Sequence, residues 1–274
     1  MNQPADDNHL EREAQGQLTR RSLLRRAAAG LSGVAVVILT GEEAYVWGSA
    51  FQEAPQGAPA PVSYDPTKHH YVYLVDIDKC IGCGSCVRAC ERENQVPSGY
   101  FRTWIERYHI SRTGNEVIDS PNGGRDGFEA LVTGELVTKS FFVPKLCNHC
   151  SLTPCVQLCP VGASYRTPDN LILVDEQRCI GCSYCVQACP YGSRFIHPET
   201  HTASKCTLCY HRITKGLLTA CIQACPRGVR KLGDTVKADD EVSEIIATRH
   251  VHVLKPELLT DPNCYYLGLS HEVR

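Results

Sequence analysis

CIGCSYCVQACP, at residues 179–190, is the stretch of sequence that decides the fold of this chain. Its four cysteines follow the spacing C-x2-C-x2-C-x3-C, and a proline comes directly after the last one. This spacing is the ligand pattern of cysteine-bound iron–sulfur clusters, in which the fourth thiolate ligates the other cluster of a two-cluster unit. The stretch therefore predicts [4Fe–4S] clusters held in tight loops.

Three further groups of four cysteines have related spacings, and the largest change is in group four, where eleven residues separate Cys209 from Cys221. Group one is Cys80, Cys83, Cys86 and Cys90, group two is Cys147, Cys150, Cys155 and Cys159, group three is Cys179, Cys182, Cys185 and Cys189, and group four is Cys206, Cys209, Cys221 and Cys225. The groups use all but one of the 17 cysteines. Four groups supply enough thiolates for four [4Fe–4S] clusters, so the chain is predicted to transfer electrons along a short series of clusters.

Two other uses of cysteine stay open at this point. Zinc is usually held by two C-x2-C pairs that are well separated, which group four could supply but groups one and three could not easily. Disulfides occur in secreted chains, although cysteines so close in sequence pair poorly. Iron–sulfur clusters are the favoured interpretation, and a zinc- or disulfide-stapled secreted interaction module is the alternative.

The N-terminal region predicts export by the twin-arginine route. The pattern Thr19-Arg20-Arg21-Ser22-Leu23 is followed by an apolar run from Ala27 to Leu39. A spanning helix needs about 20 apolar residues, so this shorter run fits the core of a signal segment better. We expect residues 1–50 to form that segment, either cleaved after Ala50 or kept as an anchor. The protein is then expected in the periplasm, exported with its clusters already in place.

The rest of the chain is organised around the cysteine groups. Short β-type runs precede groups one and three, and the two groups start about 99 residues apart, which indicates two related halves. The predicted parts are a linker at 51–68, a ferredoxin-like half at 69–90 and 191–249, a strand-rich insertion at 91–146, a second ferredoxin-like half at 147–190 and a tail at 250–274. The predicted core is small, so the apo chain is expected to be largely unfolded.

The insertion and the tail carry weaker signals. Strand formers at Tyr100–Ile110 and Ser140–Val143, on either side of a turn at 122–124, predict a cover over the clusters rather than a binding site. A helix is expected at Glu241–Ala247, with Asp239 or Asp240 as its N-cap. The tail is expected to be extended, and either to bind a partner or to wrap the body.

Composition and motifs also exclude some functions. The formal net charge is −2 and no stripe of Lys and Arg occurs, so nucleic acid is not an expected partner. The sequence shows no nucleophile constellation, phosphate-binding loop or substrate-pocket motif. Catalysis is therefore not expected to reside in this chain.

A set of motifs between Val72 and Leu267 points to a known family. They include Cys147-Asn148-His149-Cys150, Cys159-Pro160-Val161-Gly162-Ala163, Arg178-Cys179-Ile180-Gly181-Cys182, Lys205-Cys206-Thr207-Leu208-Cys209 and Asp261-Pro262-Asn263-Cys264. With these motifs the chain resembles the iron–sulfur subunits of the dimethyl sulfoxide reductase superfamily, especially the polysulfide and tetrathionate reductase type. The implied fold is α+β, with two bacterial-ferredoxin-like two-cluster halves in a pseudo-twofold relation, a strand-rich insertion and an extended C-terminal tail.

The resemblance also implies a ligand set for each cluster. Cluster A takes Cys80, Cys83, Cys86 and Cys225; cluster B takes Cys90, Cys206, Cys209 and Cys221; cluster C takes Cys147, Cys150, Cys155 and Cys189; cluster D takes Cys159, Cys179, Cys182 and Cys185. Some relatives replace the third ligand of group two and hold a [3Fe–4S] centre. Here that residue is Cys155, so four [4Fe–4S] clusters are expected. The remaining cysteine, Cys264, is expected to be an ordinary structural residue.

Partners follow from the same resemblance. It implies an electron-transfer subunit of a periplasmic respiratory oxidoreductase, placed between a molybdopterin-bearing catalytic subunit and a polytopic, quinone-interacting membrane subunit. The alternative keeps the electron relay but gives it a multihaem cytochrome or a hydrogenase as partner.

A cation precedes every cysteine group, and this suggests a means of tuning. Lys79, Lys145, Arg178 and Lys205 stand directly or nearly directly before the first cysteine. A positive charge near a cluster favours its reduced form and raises its reduction potential. The alternative is that these side chains are solvated or pair with neighbouring carboxylates such as Asp78. His149, inside group two, is expected to pack rather than to bind metal.

Overall fold

The computed structural model describes residues 35–40, 43–48, 64–130 and 136–273. The chain divides into two units, residues 1–60 and residues 61–274. In the first unit, β1 (Ala35–Thr40) and β2 (Glu43–Gly48) form an antiparallel hairpin, and β1 contains the end of the apolar run. The twin-arginine pattern, the predicted cleavage point and most of the predicted linker lie outside the described residues. None of the helices in the described ranges is long and apolar enough to cross a membrane.

The second unit alternates short strands with short helices. Its strands are β3 (Tyr71–Asp76), β4 (Thr103–Ser111), β5 (Glu116–Asp119), β6 (Val137–Leu146), β7 (Ser164–Arg166), β8 (Ile172–Val174), β9 (Arg194–Ile196), β10 (Ala203–Lys205), β11 (Arg230–Asp234) and β12 (Cys264–Leu267). Its α-helices are α1 (Ser85–Asn94), α2 (Pro154–Gln157), α3 (Tyr184–Gln187), α4 (Tyr210–Ile213), α5 (Ala220–Gln223) and α6 (Glu241–Thr248). Short 3-10 helices lie at Pro66–Lys68, Ile77–Lys79, Pro121–Gly124 and Pro256–Leu258. This mixture agrees with the expected α+β class.

Strand pairing links each cysteine group to the next one. The strand that follows a group pairs antiparallel with the strand that precedes the next group: β4 with β6, β7 with β8, and β9 with β10. After group four, β11 pairs antiparallel with β3, which precedes group one. Each cysteine group is therefore held between two strands, and the series of pairs closes on itself.

The main core lies on the three-stranded sheet β11-β3-β12. All residues from Tyr71 to Val75 are buried, as expected for a central strand with both faces covered. Tyr73 and Val75 enter the main hydrophobic core, while Val72 and Leu74 pack on the other side with Val242 of α6. The sheet therefore anchors the loops of groups one and four directly in the core.

The two strands predicted in the insertion are present as β4 and β6, with β5 on the outer side of β4. The helix predicted at 241–247 is also confirmed as α6. Its N-cap is Asp240, whose carboxylate accepts a hydrogen bond from the Ser243 N–H at 2.8 Å. The tail lies on the chain's own body, because β12 joins the central sheet parallel to β3. Of the two expectations for the tail, wrapping around the body is the one that β12 follows.

Candidate metal centres

Four small cavities lie among the cysteine loops. Cavity A is lined by Cys80, Cys83, Cys86 and Cys225, cavity B by Cys90, Cys206, Cys209 and Cys221, cavity C by Cys147, Cys150, Cys155 and Cys189, and cavity D by Cys159, Cys179, Cys182 and Cys185. Each cavity combines the first three cysteines of one group with the last cysteine of another. The structure thus brings together the same sets of four thiols that the resemblance pairs.

Short helices place neighbouring cysteines in neighbouring cavities. In α1, Cys86 lines cavity A and Cys90, one turn later, lines cavity B. Residues four apart lie one above the other on the same helix face, so one helix can serve two cavities. Three other helices each carry one cysteine, and a second cysteine follows two residues after the helix ends. Cys221 of α5 and Cys225 line cavities B and A, Cys155 of α2 and Cys159 line cavities C and D, and Cys185 of α3 and Cys189 line cavities D and C.

Strand β6 connects the two pairs of cavities. Its last residue, Leu146, lines cavity B, and the next residue, Cys147, lines cavity C. The four cavities therefore follow one another in the order A, B, C, D. This is the order that a linear relay needs.

Backbone N–H groups surround several of the sulfur atoms. The N–H of Ala203 donates to Cys179 Sγ at 3.2 Å, and the N–H of Ser164 donates to Cys159 Sγ at 3.4 Å. Burial opposes ionisation of Cys159, but N–H groups from Ser164 and from residues 161–163 outweigh it and lower the pKa of this thiol. Such hydrogen bonds favour charged sulfur, as an iron-bound thiolate requires.

Elsewhere, burial makes a bare thiolate unfavourable. It raises the pKa of Cys80 to about 11 and that of Cys206 to about 12. A bound cation removes this penalty, because metal binding deprotonates the thiol.

All 17 cysteines are free thiols. In the part of the chain that the structure describes, no three His, Cys, Asp or Glu side chains are arranged around a single metal ion. Four thiols around a cavity fit a cluster of several iron atoms.

Three buried cations lie against the cysteine loops. Arg230, 2% exposed, donates to Cys86 Sγ at 3.3 Å, and Arg194, 4% exposed, donates to Cys155 Sγ at 3.0 Å. Lys205, 1% exposed, donates from Nζ to the Cys206 carbonyl oxygen at 2.5 Å.

None of these three cations forms an ion pair with a carboxylate of the described residues. A buried charge without a partner costs several kcal/mol. Four thiolates on a [4Fe–4S] core leave a charge of about −2, which is the partner that these cations lack. Their burial is therefore a second feature that fits the cysteine cavities to iron–sulfur clusters.

The tuning role predicted for the preceding cations is not supported for three of the four. Lys79 pairs with Asp76 at 2.8 Å and Arg178 with Asp175 at 3.3 Å, both on the exposed surface. Lys145 is buried, but it pairs with Glu106 at 2.6 Å in a separate cavity of about 330 Å³. Carboxylate pairing, the alternative interpretation, describes these residues. Lys205 differs from them, since it is held against a cysteine loop.

Arg194 and Arg230 were missed by the sequence interpretation, although a signal for both is present. Each stands five residues after the last cysteine of its group, in the shared pattern C-P-x-G-x-R. Group two has the same pattern with Ser164 in place of the arginine. The repeat could have drawn attention to this position, but only the fold shows that the two guanidinium groups are buried against sulfur.

His149 and Cys264 have structural roles, as expected. His149 is buried, and its Nδ1 accepts a hydrogen bond from the Ile172 N–H at 3.0 Å. Burial, together with the positive charges of Lys205 and Arg194, lowers its pKa well below the usual range, so the ring is neutral. Cys264 is buried in β12 and belongs to the main hydrophobic core.

Comparison with known proteins also points to iron–sulfur clusters. Two family models, both described as 4Fe-4S dicluster domains, match residues 79–163 and 138–235. A tetrathionate reductase subunit of Salmonella typhimurium is 43% identical over 208 residues, which cover 74% of this chain and 74% of that protein. The chain belongs to the iron–sulfur subunits of the dimethyl sulfoxide reductase superfamily.

Other relatives of this iron–sulfur subunit agree. The corresponding tetrathionate reductase subunit of Archaeoglobus fulgidus is 45% identical over 200 residues, 73% of this chain and 83% of that protein. The thiosulfate reductase electron transfer subunit of Salmonella typhi is 37% identical over 166 residues, 60% of this chain and 76% of that protein. The iron–sulfur subunit carries [4Fe–4S] clusters and transfers electrons without being the catalytic subunit. The zinc- or disulfide-stapled module is therefore set aside.

Proposed function

We propose that this iron–sulfur subunit holds four [4Fe–4S] clusters, one in each of cavities A to D, and relays electrons along them. The observation that carries the proposal is the gathering of four thiols around each of four cavities. When bound, a [4Fe–4S] cluster accepts and releases one electron at a potential that its surroundings set. Cys155 lines cavity C as a fourth thiol, which supports a [4Fe–4S] rather than a [3Fe–4S] centre there.

The chain's residues fix the spacing and the surroundings of these sites. Helices α1 and α5 hold cavities A and B together, α2 and α3 hold C and D together, and β6 joins the pairs. Aliphatic side chains contribute to the lining of every cavity, and prolines to the linings of cavities A and C. The relay is therefore a property of a rigid scaffold, as electron transfer between fixed centres requires.

Both ends of the series support a partner. Ile81 lines cavity A and is 54% exposed, and Ile180 lines cavity D and is 64% exposed. Exposed apolar side chains of this size mark interaction surfaces when they lie together with others. At cavity D, the exposed Val161 also lines the cavity, and the exposed Tyr184 follows Ile180 by four residues. We infer that a partner subunit contacts the chain at cavity A and another at cavity D, because a series of clusters must receive electrons at one end and deliver them at the other.

The two partners that we propose are a molybdopterin-bearing catalytic subunit and a polytopic, quinone-interacting membrane subunit. The names of the relatives support a catalytic partner, since several are named as one subunit of a reductase or dehydrogenase. The twin-arginine pattern at Arg20-Arg21 supports a periplasmic site of action. Lysine at both arginines is expected to leave the protein in the cytoplasm, and unchanged export of that variant would contradict this route.

We also infer that the half with cavities A and B and the half with cavities C and D are related by a pseudo-twofold operation. Two features support it: each half pairs the strand before one group with the strand after another, and each has a buried arginine five residues after a cysteine. In this correspondence Ser164, the first residue of β7, takes the position of Arg230, the first residue of β11.

Iron and acid-labile sulfide analysis tests the central proposal. Four [4Fe–4S] clusters require about 16 iron and 16 sulfide per chain. Anaerobically purified protein with about half that content, or with zinc and no sulfide, would contradict four clusters. Purification of the native complex tests the partners. Molybdenum in its largest subunit supports the proposed catalytic partner, while haem or nickel in its place would indicate a multihaem cytochrome or a hydrogenase.

A further inference from the structure

The buried cations occupy a regular set of positions in the series of cavities. Arg230 lines cavity A, and its second guanidinium nitrogen donates at 2.8 Å to the hydroxyl of Thr103, which lines cavity B. Its side chain therefore extends from one cavity to the next.

Arg194 repeats this geometry in the other half. It lines cavity C and donates at 2.7 Å to the hydroxyl of Ser164, which lines cavity D. The Ser164 N–H in turn donates to Cys159 Sγ, a thiol of cavity D.

Lys205 lies at the remaining junction, between cavities B and C. Its ammonium donates to the carbonyl oxygen of Cys206, a residue of cavity B. In the pairing of β10 with β9, Lys205 stands directly opposite Arg194, which lines cavity C. Two cations in such a pair repel each other when buried, unless negative charge lies close to both.

We propose that Arg230, Lys205 and Arg194 are the internal counter-ions of the relay, one at each junction between successive clusters. Each cation stabilises the added electron on both of the clusters that it separates. It thereby raises their reduction potentials and reduces the repulsion between two neighbouring clusters that are reduced at the same time. The inference rests on the proposed four-cluster function and adds residues to it that are not ligands.

The reasoning is electrostatic. Reduction adds one negative charge to a cluster that is already negative, so each reduced cluster makes reduction of the next one harder. Charges a few ångströms apart in a protein interior interact strongly because water does not screen them. A cation at the junction offsets this repulsion for both neighbours at once, whereas an exposed, carboxylate-paired cation such as Lys79 does not.

Potentiometric EPR of the cluster-loaded full chain tests the inference with three variants, Arg230→Gln, Lys205→Gln and Arg194→Gln. Each is expected to lower the midpoints of two centres by about a tenfold change in the reduction equilibrium, equal to about 59 mV for one electron. The two arginine variants should shift separate pairs of centres. Lys205→Gln should shift one centre from each pair. This pattern of overlap does not require any signal to be assigned to a cavity beforehand.

Two kinds of control separate charge from structure. Arg194→Lys and Arg230→Lys keep the charge, so their midpoints should stay close to those of the wild type. Lys79→Gln and Arg178→Gln remove exposed cations that precede cysteine groups, and should shift nothing. If a glutamine variant loses iron, restoration of the iron by lysine at the same position supports the counter-ion role.

Several results would overturn the inference. They are unchanged midpoints in iron-replete glutamine variants, equal shifts of all centres, a common pair of centres for both arginines, or lysine variants that shift or lose iron as much as the glutamine variants. The iron content of the wild type is measured first. A wild type with fewer than four clusters would count against the proposed function itself, and that failure is distinct from a failure of the counter-ion pattern.

Discussion

The two halves of this chain hold similar cysteine loops in different ways. In the half with cavities A and B, most of the thiols are buried and the ten-residue helix α1 carries two of them. In the half with cavities C and D, the helices are single turns, Cys182 is exposed and most other thiols are half-buried. The first half also has the three-stranded sheet, where the second has the two-stranded pair β7–β8. One half is anchored in a hydrophobic core, and the other depends more on what its cysteines bind.

Removal of the clusters is expected to have the largest effect, and to unfold the half with cavities C and D more completely than the half with cavities A and B. After chelation of iron under anaerobic conditions, the protein is expected to lose most of its native circular dichroism, because metal binding contributes much of the folding free energy of small metal-bound domains. Hydrogen exchange should show complete loss of protection at 147–196, while the amides of β3 and β11 retain some. Cooperative thermal unfolding of the apo chain, with native circular dichroism, would contradict this expectation.

A single ligand substitution in each half gives the next largest effect. Cys86→Ser and Cys182→Ser are each expected to lose up to about four iron per chain, one cluster. Cys86→Ser should also destabilise the protein by about 3 kcal/mol or more, since it leaves the buried Arg230 without its sulfur partner. Cys182 is exposed, so its substitution should have a smaller effect on global stability.

Iron content and chemical denaturation measure these two variants together. Equal losses of stability would show that the halves do not differ in how they hold their clusters. A larger loss for Cys182→Ser would reverse the comparison.

The turn before the third cysteine of group one differs from the equivalent turn of group three. Gly84 has φ +72°, and a Cβ added there would lie 2.1 Å from the Arg125 carbonyl oxygen of the insertion. The corresponding residue in the other half is Ser183, with φ +64°. Gly84→Ala should therefore cost on the order of 1 to 3 kcal/mol, because a left-handed backbone and a clash with backbone are combined.

Ser183→Gly is the matched control, and should change the free energy of unfolding by less than about 1 kcal/mol. Both variants are compared by denaturant unfolding with clusters bound. If Gly84→Ala were as stable as the wild type, the loop that contains Arg125 could move away from group one without a loss in the free energy of unfolding.

The N-cap of α6 provides the smallest expected effect. Asp240→Ala removes the hydrogen bond to the Ser243 N–H and should cost about 1 kcal/mol. Since α6 packs on β3 through Val242, the loss should appear in the exchange of β3 amides and leave iron in cavities C and D unchanged. Asp239→Ala removes the neighbouring exposed carboxylate and is the control, expected to have little effect. Equal effects of the two variants would contradict the capping role.

The local parts of the fold could be predicted from the sequence. Spacing defines the four cysteine groups, and the capping residue and the strand formers define α6, β4 and β6. Which last cysteine completes which set of three could not be derived from spacing, because it depends on contacts between distant groups. It came from the family resemblance, and the cavities agree with it.

The partners of the charged side chains could be predicted only where they are close in the sequence. The partners of Lys79 and Arg178 are three residues upstream, and a search for i, i+3 carboxylates would have found them. Lys145, by contrast, pairs with Glu106 across β6 and β4, and Arg230 reaches Cys86 from the far end of the chain. A cation's distance from a cysteine along the chain therefore says little about whether its charge faces that cysteine.

The parallel strand β12 has a consequence for how this protein is made. It follows all four cysteine groups in the chain, yet it lies beside β3, which precedes all of them. During synthesis, the half with cavities C and D is complete once residue 196 has emerged from the ribosome, whereas the central sheet must wait for residue 267. Because domains fold as their segments become available, the half with cavities C and D can receive its iron before the central sheet of its neighbour is complete.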